Sequence, residues 1–276
     1  MTTTTLISST EQLSDVLAKL DTSYASPPSL YIDLDGIKLS RNGTISLITL
    51  LNHPSDTVYL IDVHELGAAT FTTPATSPTP TPSPAPSTNI NPTTPPHTLQ
   101  SILESPTIPK VFFDVRNDSD ALFAHYNIKL QGIQDLQLME LASRTRPKAY
   151  LNGLARCIQD DLPLSAALRA EIQKTKDAGV RLFAPEKGGS YEAFNQRPLL
   201  PELERYCVQD VVFMPRLWQV YEGRLRSSFW RWMAADDTLK RVRDSQKEVL
   251  RPDGKWKAEG WSSGVVGEAQ KRWRKR

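Results

Sequence analysis

The sequence is short of cysteine, of histidine and of long apolar runs, and each shortage removes a class of protein. Its two cysteines, Cys157 and Cys207, lie far apart and neither belongs to a Cys-x-x-Cys pair. A disulfide framework and a structural zinc site are thereby excluded, and the usage fits a reducing compartment. The four histidines, His53, His64, His97 and His125, show no ligand spacing and read as surface or core fillers. No run of about 18 apolar residues occurs. The opening Met1-Thr-Thr-Thr-Thr-Leu-Ile-Ser-Ser-Thr10 has neither the basic segment nor the apolar core of a secretory signal. The expectation is an intracellular protein, nuclear or cytoplasmic, with no membrane partner and no secretion.

What is present is unevenly spread. The 276 residues suffice for one full-sized domain with additions, and their formal charge is only +2. Residues 221–276, however, hold 15 Lys and Arg against 8 Asp and Glu, so a tail of +7 follows a body of −5. All six tryptophans (Trp218, Trp230, Trp232, Trp256, Trp261, Trp273) fall in or just before that tail. Basic residues interleaved with aromatics suit a phosphate backbone and stacked bases. The closing Lys271-Arg-Trp-Arg-Lys-Arg276 equally suits a nuclear address, and a solvated helix is the plain alternative. Residues 72–97 contain nine prolines among Thr, Ser, Ala and Asn. Such a segment buries too little surface to offset its ordering entropy and reads as a disordered insert, open to proline-reading partners.

Around the insert the pattern is strand-rich, then helix-rich. The spacing predicts a helix over 9–20, opened by a Ser8-x-x-Glu11 capping box. Short β-branched runs predict strands over 30–35, 44–51 and 57–63 as an antiparallel meander, with a fourth strand over 110–114 and a helix over 119–127 behind it. Helices follow over 135–144, 150–159, 164–178 and 199–220. The fold class is α/β, a mixed sheet flanked by helices.

Three places can carry chemistry. Asp33 and Asp35 are two apart on a strand, so both point to one face, as a metal site or a solvated edge. Asp118 follows the fourth strand near a helix N-terminus, where an N-cap is the simplest role. Tyr206 and Asp210 are i and i+4 on a helix and project together, either as a surface pair or as a carboxylate with a water-holding neighbour. Ile32-Asp-Leu-Asp-Gly36 also resembles the first motif of haloacid-dehalogenase-type phosphatases, but position 37 is Ile and only Asp160-Asp161 offers a later acidic pair. A calcium loop fails at the same Ile37.

The order of these motifs is specific. It comprises Tyr31-Ile-Asp-Leu-Asp-Gly-Ile-Lys-Leu-Ser-Arg-Asn-Gly43 with Ile45-Ser-Leu-Ile-Thr-Leu50, then Val111-Phe-Phe-Asp-Val-Arg-Asn-Asp-Ser-Asp-Ala-Leu122 with Tyr126-Asn-Ile128. Gln134-Asp-Leu-Gln-Leu-Met139 follows, and Arg197-Pro-Leu199 precedes Tyr206-Cys-Val-Gln-Asp-Val211. Over roughly residues 29–221 the chain resembles the DEDD superfamily of 3′–5′ exonucleases, in its tyrosine-containing subgroup and its ribonuclease D/Werner-type branch. It is similar to fungal proteins that carry a 3′–5′ exonuclease domain. The resemblance implies an RNase H-like sheet presenting four acidic residues, Asp33, Asp35, Asp118 and Asp210, to two divalent cations, Mg²⁺ or Mn²⁺. It makes Asp33 the bridging ligand, sets Asp210 on the cation that activates water, has Asp118 support the second cation through water, and gives Tyr206 the attacking water to orient. Cations about 3.5–4 Å apart stabilise the attacking and leaving oxygens of an in-line displacement. Asp118 is preferred to Asp114 and Asp120 because ten residues separate it from Ile128, the spacing expected in that family.

The implied activity is stepwise removal of nucleotides from the 3′ end of single-stranded RNA or DNA. Two departures stand out. The family's Asp-x-Glu becomes Asp-x-Asp, so Asp35 keeps the charge but loses a methylene of reach, and Phe194 stands where relatives often have Trp. Some relatives in this branch have lost catalysis and serve as RNA-binding scaffolds, which is the competing reading. The expected organisation is a leading helix over 1–24, an exonuclease domain over 25–222 interrupted at 72–97, and a basic, Trp-rich extension over 223–276 that, like the insert, offers a surface to a protein partner.

Overall fold

A computed structural model describes residues 2–23, 26–76, 97–247 and 254–276; most of the Pro-rich insert, residues 77–96, lies outside them. The strands are β1 (Thr3–Ile7), β2 (Leu30–Asp35), β3 (Leu47–Asn52), β4 (Thr57–Asp62), β5 (Lys110–Phe112) and β6 (Ile133–Asp135). Helix α1 (Thr10–Leu17) precedes β2, and the short α2 (Val63–Leu66), α3 (Ala69–Thr72) and α4 (Leu99–Glu104) lie between β4 and β5. After β5 come α5 (Arg116–Tyr126), α6 (Leu136–Ser143), α7 (Leu154–Asp161), α8 (Ala166–Phe183), α9 (Pro201–Val212), α10 (Met214–Arg224), α11 (Ser228–Ser245) and α12 (Ser263–Trp273).

The six strands form one mixed sheet in the order β1-β4-β3-β2-β5-β6. Strands β2, β3 and β4 make the expected antiparallel meander, with Asp33 opposite Thr49 and Thr49 opposite Leu60. Strand β5 runs parallel to β2, but pairing is confined to Leu30–Lys110 and Tyr31–Val111. Beyond Tyr31 the β5 side of β2 is therefore free of ladder bonds. Period two divides β2 between two cores: Leu30, Ile32 and Leu34 join α1, α4 and α5, whereas Tyr31 joins α6, α7, α10 and α11. Asp33 and Asp35 share the Tyr31 face.

Several expectations need correction. The capping box belongs to Ser9 and Gln12, whose side chain reaches back to the cap, so the first helix starts one residue later than Ser8 implied and ends at Leu17. Within the leading segment expected as helix over 1–24, the threonine run is instead an edge strand, β1, parallel to β4. Residues 44–46 belong to a loop folding back on β2, so β3 begins at Leu47. The helix expected over 199–220 breaks at Phe213 into α9 and α10, with Pro215 in the first turn of the second. No helix among the described residues is long and apolar enough to cross a membrane.

The segment after Leu225 is built onto the domain. Helix α11 packs on α5, α6 and β6. Trp230 stacks on Trp261 with centroids 5.8 Å apart, and Trp232 meets Trp273 at 5.4 Å. Lys148 and Arg272 lie over the rings of Trp230 and Trp232. These rings are thus engaged with one another and with the chain's own cations.

Candidate active site

The site forms where β2 outruns β5. In the gap beside β2, the Leu34 N–H, between Asp33 and Asp35, donates to Asp118 Oδ1 at 3.2 Å. Asp118 is not the N-cap: α5 starts at Arg116 with Val115 capping, which puts Asp118 in the first turn and turns its carboxylate onto β2. Gly36 ends the strand because a Cβ there would meet Thr44 O at 2.2 Å; its absence lets the next loop return and donate Ser46 N–H to Asp35 O at 2.8 Å. The neighbours of Asp118 are occupied elsewhere. Asp120 is fully buried in a fork with Arg41, and Asp114 is gripped by Arg116 at 2.5 and 2.7 Å.

Helix α9 brings Tyr206 and Asp210 over the same end of β2. Its leading segment is anchored by Arg197, whose guanidinium forks onto the buried Asp62 at the end of β4, one arm at 2.5 Å. Phe194 packs within 5.0 Å of Phe183, a packing role for the position where relatives often have Trp. Lateral placement comes from Gly179 on α8: a Cβ there would sit 2.5 Å from Tyr206 Cβ. We expect Gly179→Ala to push Tyr206 aside and reduce turnover on the order of 10–100-fold, since small misplacements carry such penalties. Overpacking costs about 1–3 kcal/mol besides. Kinetics together with a thermal melt check this; unchanged turnover would show that Tyr206 needs no such tight placement.

The electrostatics tie the three elements together. Burial raises Asp33 well above the carboxylate range, and Asp35, Asp210 and Asp118 add to it. Burial pushes Asp35 to about 6, partly opposed by the Cys207 thiol. Burial and then Asp35 push Asp210 to about 7, opposed by Lys176 and by a hydrogen bond from Tyr206. Asp118 rises to about 8, again through burial first, with Asp114 and Asp35 adding. Asp118 is buried, while Asp33, Asp35, Tyr206 and Asp210 keep partial solvent access. Asp35 Oδ2 is buried without a hydrogen-bond partner. Four carboxylates, of which three raise the fourth, Asp33, and one has an orphaned oxygen, are the donor set a hard divalent cation takes. Among the described residues no three acidic, cysteine or histidine side chains already form a closed ligand cluster. A cation would have to draw these carboxylates in.

Lys176, Gly179 and Cys207 escaped the sequence. Ile172, Lys176 and Gly179 lie at i, i+4 and i+7 on α8, the stripe that faces α9: Gln209 of α9 donates to Ile172 O at 3.1 Å and Gly179 meets Tyr206. Lys176 thus brings a cation to Asp210. Cys207, read only as one of two unpaired thiols, lies beneath Asp35. Only the helical period of α8 could have indicated Lys176 and Gly179, and it gives no hint of which helix they meet.

The sequence model of a 3′–5′ exonuclease family matches residues 5–225. No curated protein matches the chain. Among solved structures, Trypanosoma brucei RNase D in complex with GMP shares 17% identity at a TM-score of 0.69, covering 99% of this chain and 72% of that one. The same enzyme has been solved with RNA U12, at 16% identity and TM-score 0.65, over 97% and 79% of the two chains. Brucella melitensis NrnC with bound Mg²⁺ shares 15% at a TM-score of 0.53, over 88% and 90%. At these identities what is shared is the fold, an RNase H-like α/β sheet flanked by helices.

Proposed function

Because the chain belongs to this 3′–5′ exonuclease family, we propose that it removes nucleotides from the 3′ end of single-stranded nucleic acid, using two divalent cations, Mg²⁺ or Mn²⁺. The observation that carries the reading is that Asp33 is raised by Asp35, Asp118 and Asp210 together, although the four come from three separate elements. Asp33 and Asp210 are the principal ligands in this reading, with Asp35 and Asp118 completing the set. Bound there, the cations supply the positive charge that stabilises both the attacking and the leaving oxygen of an in-line displacement.

The chain's own groups do the rest. Tyr206, with its hydroxyl on Asp210, orients the attacking water; burial and the surrounding carboxylates raise its phenol, so it stays protonated and donates. Lys176, the cation near Asp210, offers an ammonium point charge to a substrate phosphate. RNA is supported as a substrate by the RNA held by a protein of the same fold. The unpaired, buried cysteines support an intracellular setting.

The test is degradation of 5′-labelled single-stranded RNA and DNA by the full chain with Mg²⁺, Mn²⁺ or EDTA, beside Asp33→Ala and Asp210→Ala. A metal-dependent ladder shortening from the 3′ end and lost in both variants is the expected result. Intact oligonucleotides that nevertheless shift in a gel would replace the nuclease by an RNA-binding scaffold, the outcome the shorter Asp35 leaves open.

A further inference from the structure

The site depends on a turn that the family match does not secure by itself. That match ends at residue 225, yet Arg241, Ser245, Trp256 and Lys257 hold the first turn of α5, while Asp118 faces β2. The geometry points to Arg241 as a positioning residue for Asp118, acting through the backbone where α5 begins. This inference rests on the nuclease reading above.

Arg241 Nη1 donates to Asp135 Oδ2 at 2.7 Å and to Gln137 Oε1 at 2.9 Å, with Asp114 Oδ1 at 3.4 Å. Asp135 in turn accepts from the backbone N–H groups of Asp114 at 3.0 Å and Val115 at 3.2 Å. One buried carboxylate therefore fixes the two residues that aim α5, and Arg241 fixes that carboxylate. Asp114 has φ +63°, a left-handed conformation that a non-glycine residue keeps only under restraint. Its restraint is the pair of arginines, Arg116 and Arg241.

Further along, Trp256 and Lys257 close the outside of the turn. Arg116 donates to Lys257 O at 2.9 Å and lies 5.2 Å from the centre of the Trp256 ring, while Lys257 Nζ reaches Asn117 Oδ1. Ser245 Oγ bonds Ser119 Oγ at 2.8 Å, and Ser245 O accepts from Arg41, the partner of Asp120. Residues 114, 116, 117, 119 and 120 are all held from the extension, directly or through one arginine. Asp118 alone faces the other way. A clamp confined to one turn, around one site carboxylate, sets where that carboxylate stands.

The experiment compares full-length Arg241→Met, Arg241→Lys and the outer double variant Trp256→Ala/Lys257→Ala with wild type, and uses Arg272→Ala, on the far side of α11, as control. Three readouts are taken: kcat and KM on a 5′-labelled oligonucleotide, the Mn²⁺ concentration giving half of the Mn²⁺-induced rise in Tm, and Tm in EDTA. Arg241→Met is expected to lower kcat about 10–100-fold with KM nearly unchanged. Its Mn²⁺ midpoint should rise severalfold. Arg241→Lys, which keeps the charge but not the fork, should recover part of both. The double variant should move kcat and midpoint in the same direction at nearly wild-type Tm. Should Arg241→Met fail to fold, Arg241→Lys and the double variant decide. Wild-type kcat and Mn²⁺ midpoint in folded variants would overturn the positioning role, as would absence of any Mn²⁺ response in wild type. A wild-type protein that responds to Mn²⁺ but cleaves nothing would defeat the nuclease reading, while the midpoints still decide the role of Arg241.

Discussion

Asp33→Asn is expected to abolish nuclease activity and to make the metal-free protein more stable. Two consequences follow from one cause. Asp33 sits among Asp35, Asp118 and Asp210, and all three, after burial itself, disfavour its charge. An amide of nearly the same shape removes that repulsion without opening a cavity, so Tm in EDTA rises. The same change removes the carboxylate assigned to bridge the cations. A cation's contribution to transition-state charge is several kcal/mol, which at tenfold per 1.36 kcal/mol means loss on the order of 1,000-fold or more. Asp120→Asn supplies the contrast, because Asp120 is buried but forked by Arg41 at 2.7 Å. There the substitution leaves an uncompensated guanidinium and lowers Tm. Melting curves in EDTA and the 3′-end ladder check both; an Asp33→Asn protein that melts earlier than wild type would contradict the repulsion argument.

Metal-free stability should fall as pH rises from about 5 to about 7. In the folded state Asp35, Asp210 and Asp118 titrate near 6, 7 and 8, against an ordinary value of 3.8. Below pH ~4 both states are protonated and nothing is lost. Above it the unfolded chain releases these protons while the folded chain retains them. Stability thus decreases with pH until the folded pKa values are passed. Several groups acting together give a loss on the order of a few kcal/mol, or roughly 10 °C in Tm. Lys110, whose burial lowers it to about 7, contributes the opposite slope only above that value, so the window isolates the carboxylates. Saturating Mg²⁺ or Mn²⁺ should flatten the fall, since carboxylates bind cations only when deprotonated. A Tm in EDTA that climbs between pH 5 and 7 would speak against a coupled acidic cluster.

How much of this could be read from the chain alone follows from which forces are local. The pairing of Asp33 with Asp35 is a property of a strand's period, and that of Tyr206 with Asp210 a property of a helix's, so both were legible. The meander was legible for the same reason, with turn signals at Asn42-Gly43 and at Pro54. What brings α5 and α9 to the end of β2 is not local. The three-residue β6 carries too little pattern to announce a strand, and only pairing with β5 makes it one. Threonines in β1 carry no strand pattern strong enough to displace the leading helix until β4 supplies the ladder. From its neighbours alone Asp118 reads as a cap, because they look like a helix start; only the family resemblance makes it a site residue. Its turn toward Leu34 depends on Asp114 and on Arg241, 127 residues beyond Asp114. The basic count of the tail was visible, but not that its arginines reach back into the fold.

The threonines of β1 have a consequence for how this protein behaves at high concentration. Strand β4 is buried along Val58, Leu60 and Ile61 and would present a sticky, unpaired ladder to any passing chain. Covering it with Thr3, Thr4 and Thr5 sets a short, polar border where an apolar one would recruit other molecules. At the opposite border β6 is shielded by α11. The sheet thus ends on one side in a short strand of mostly hydroxyl side chains and on the other against the same helix that carries Arg241.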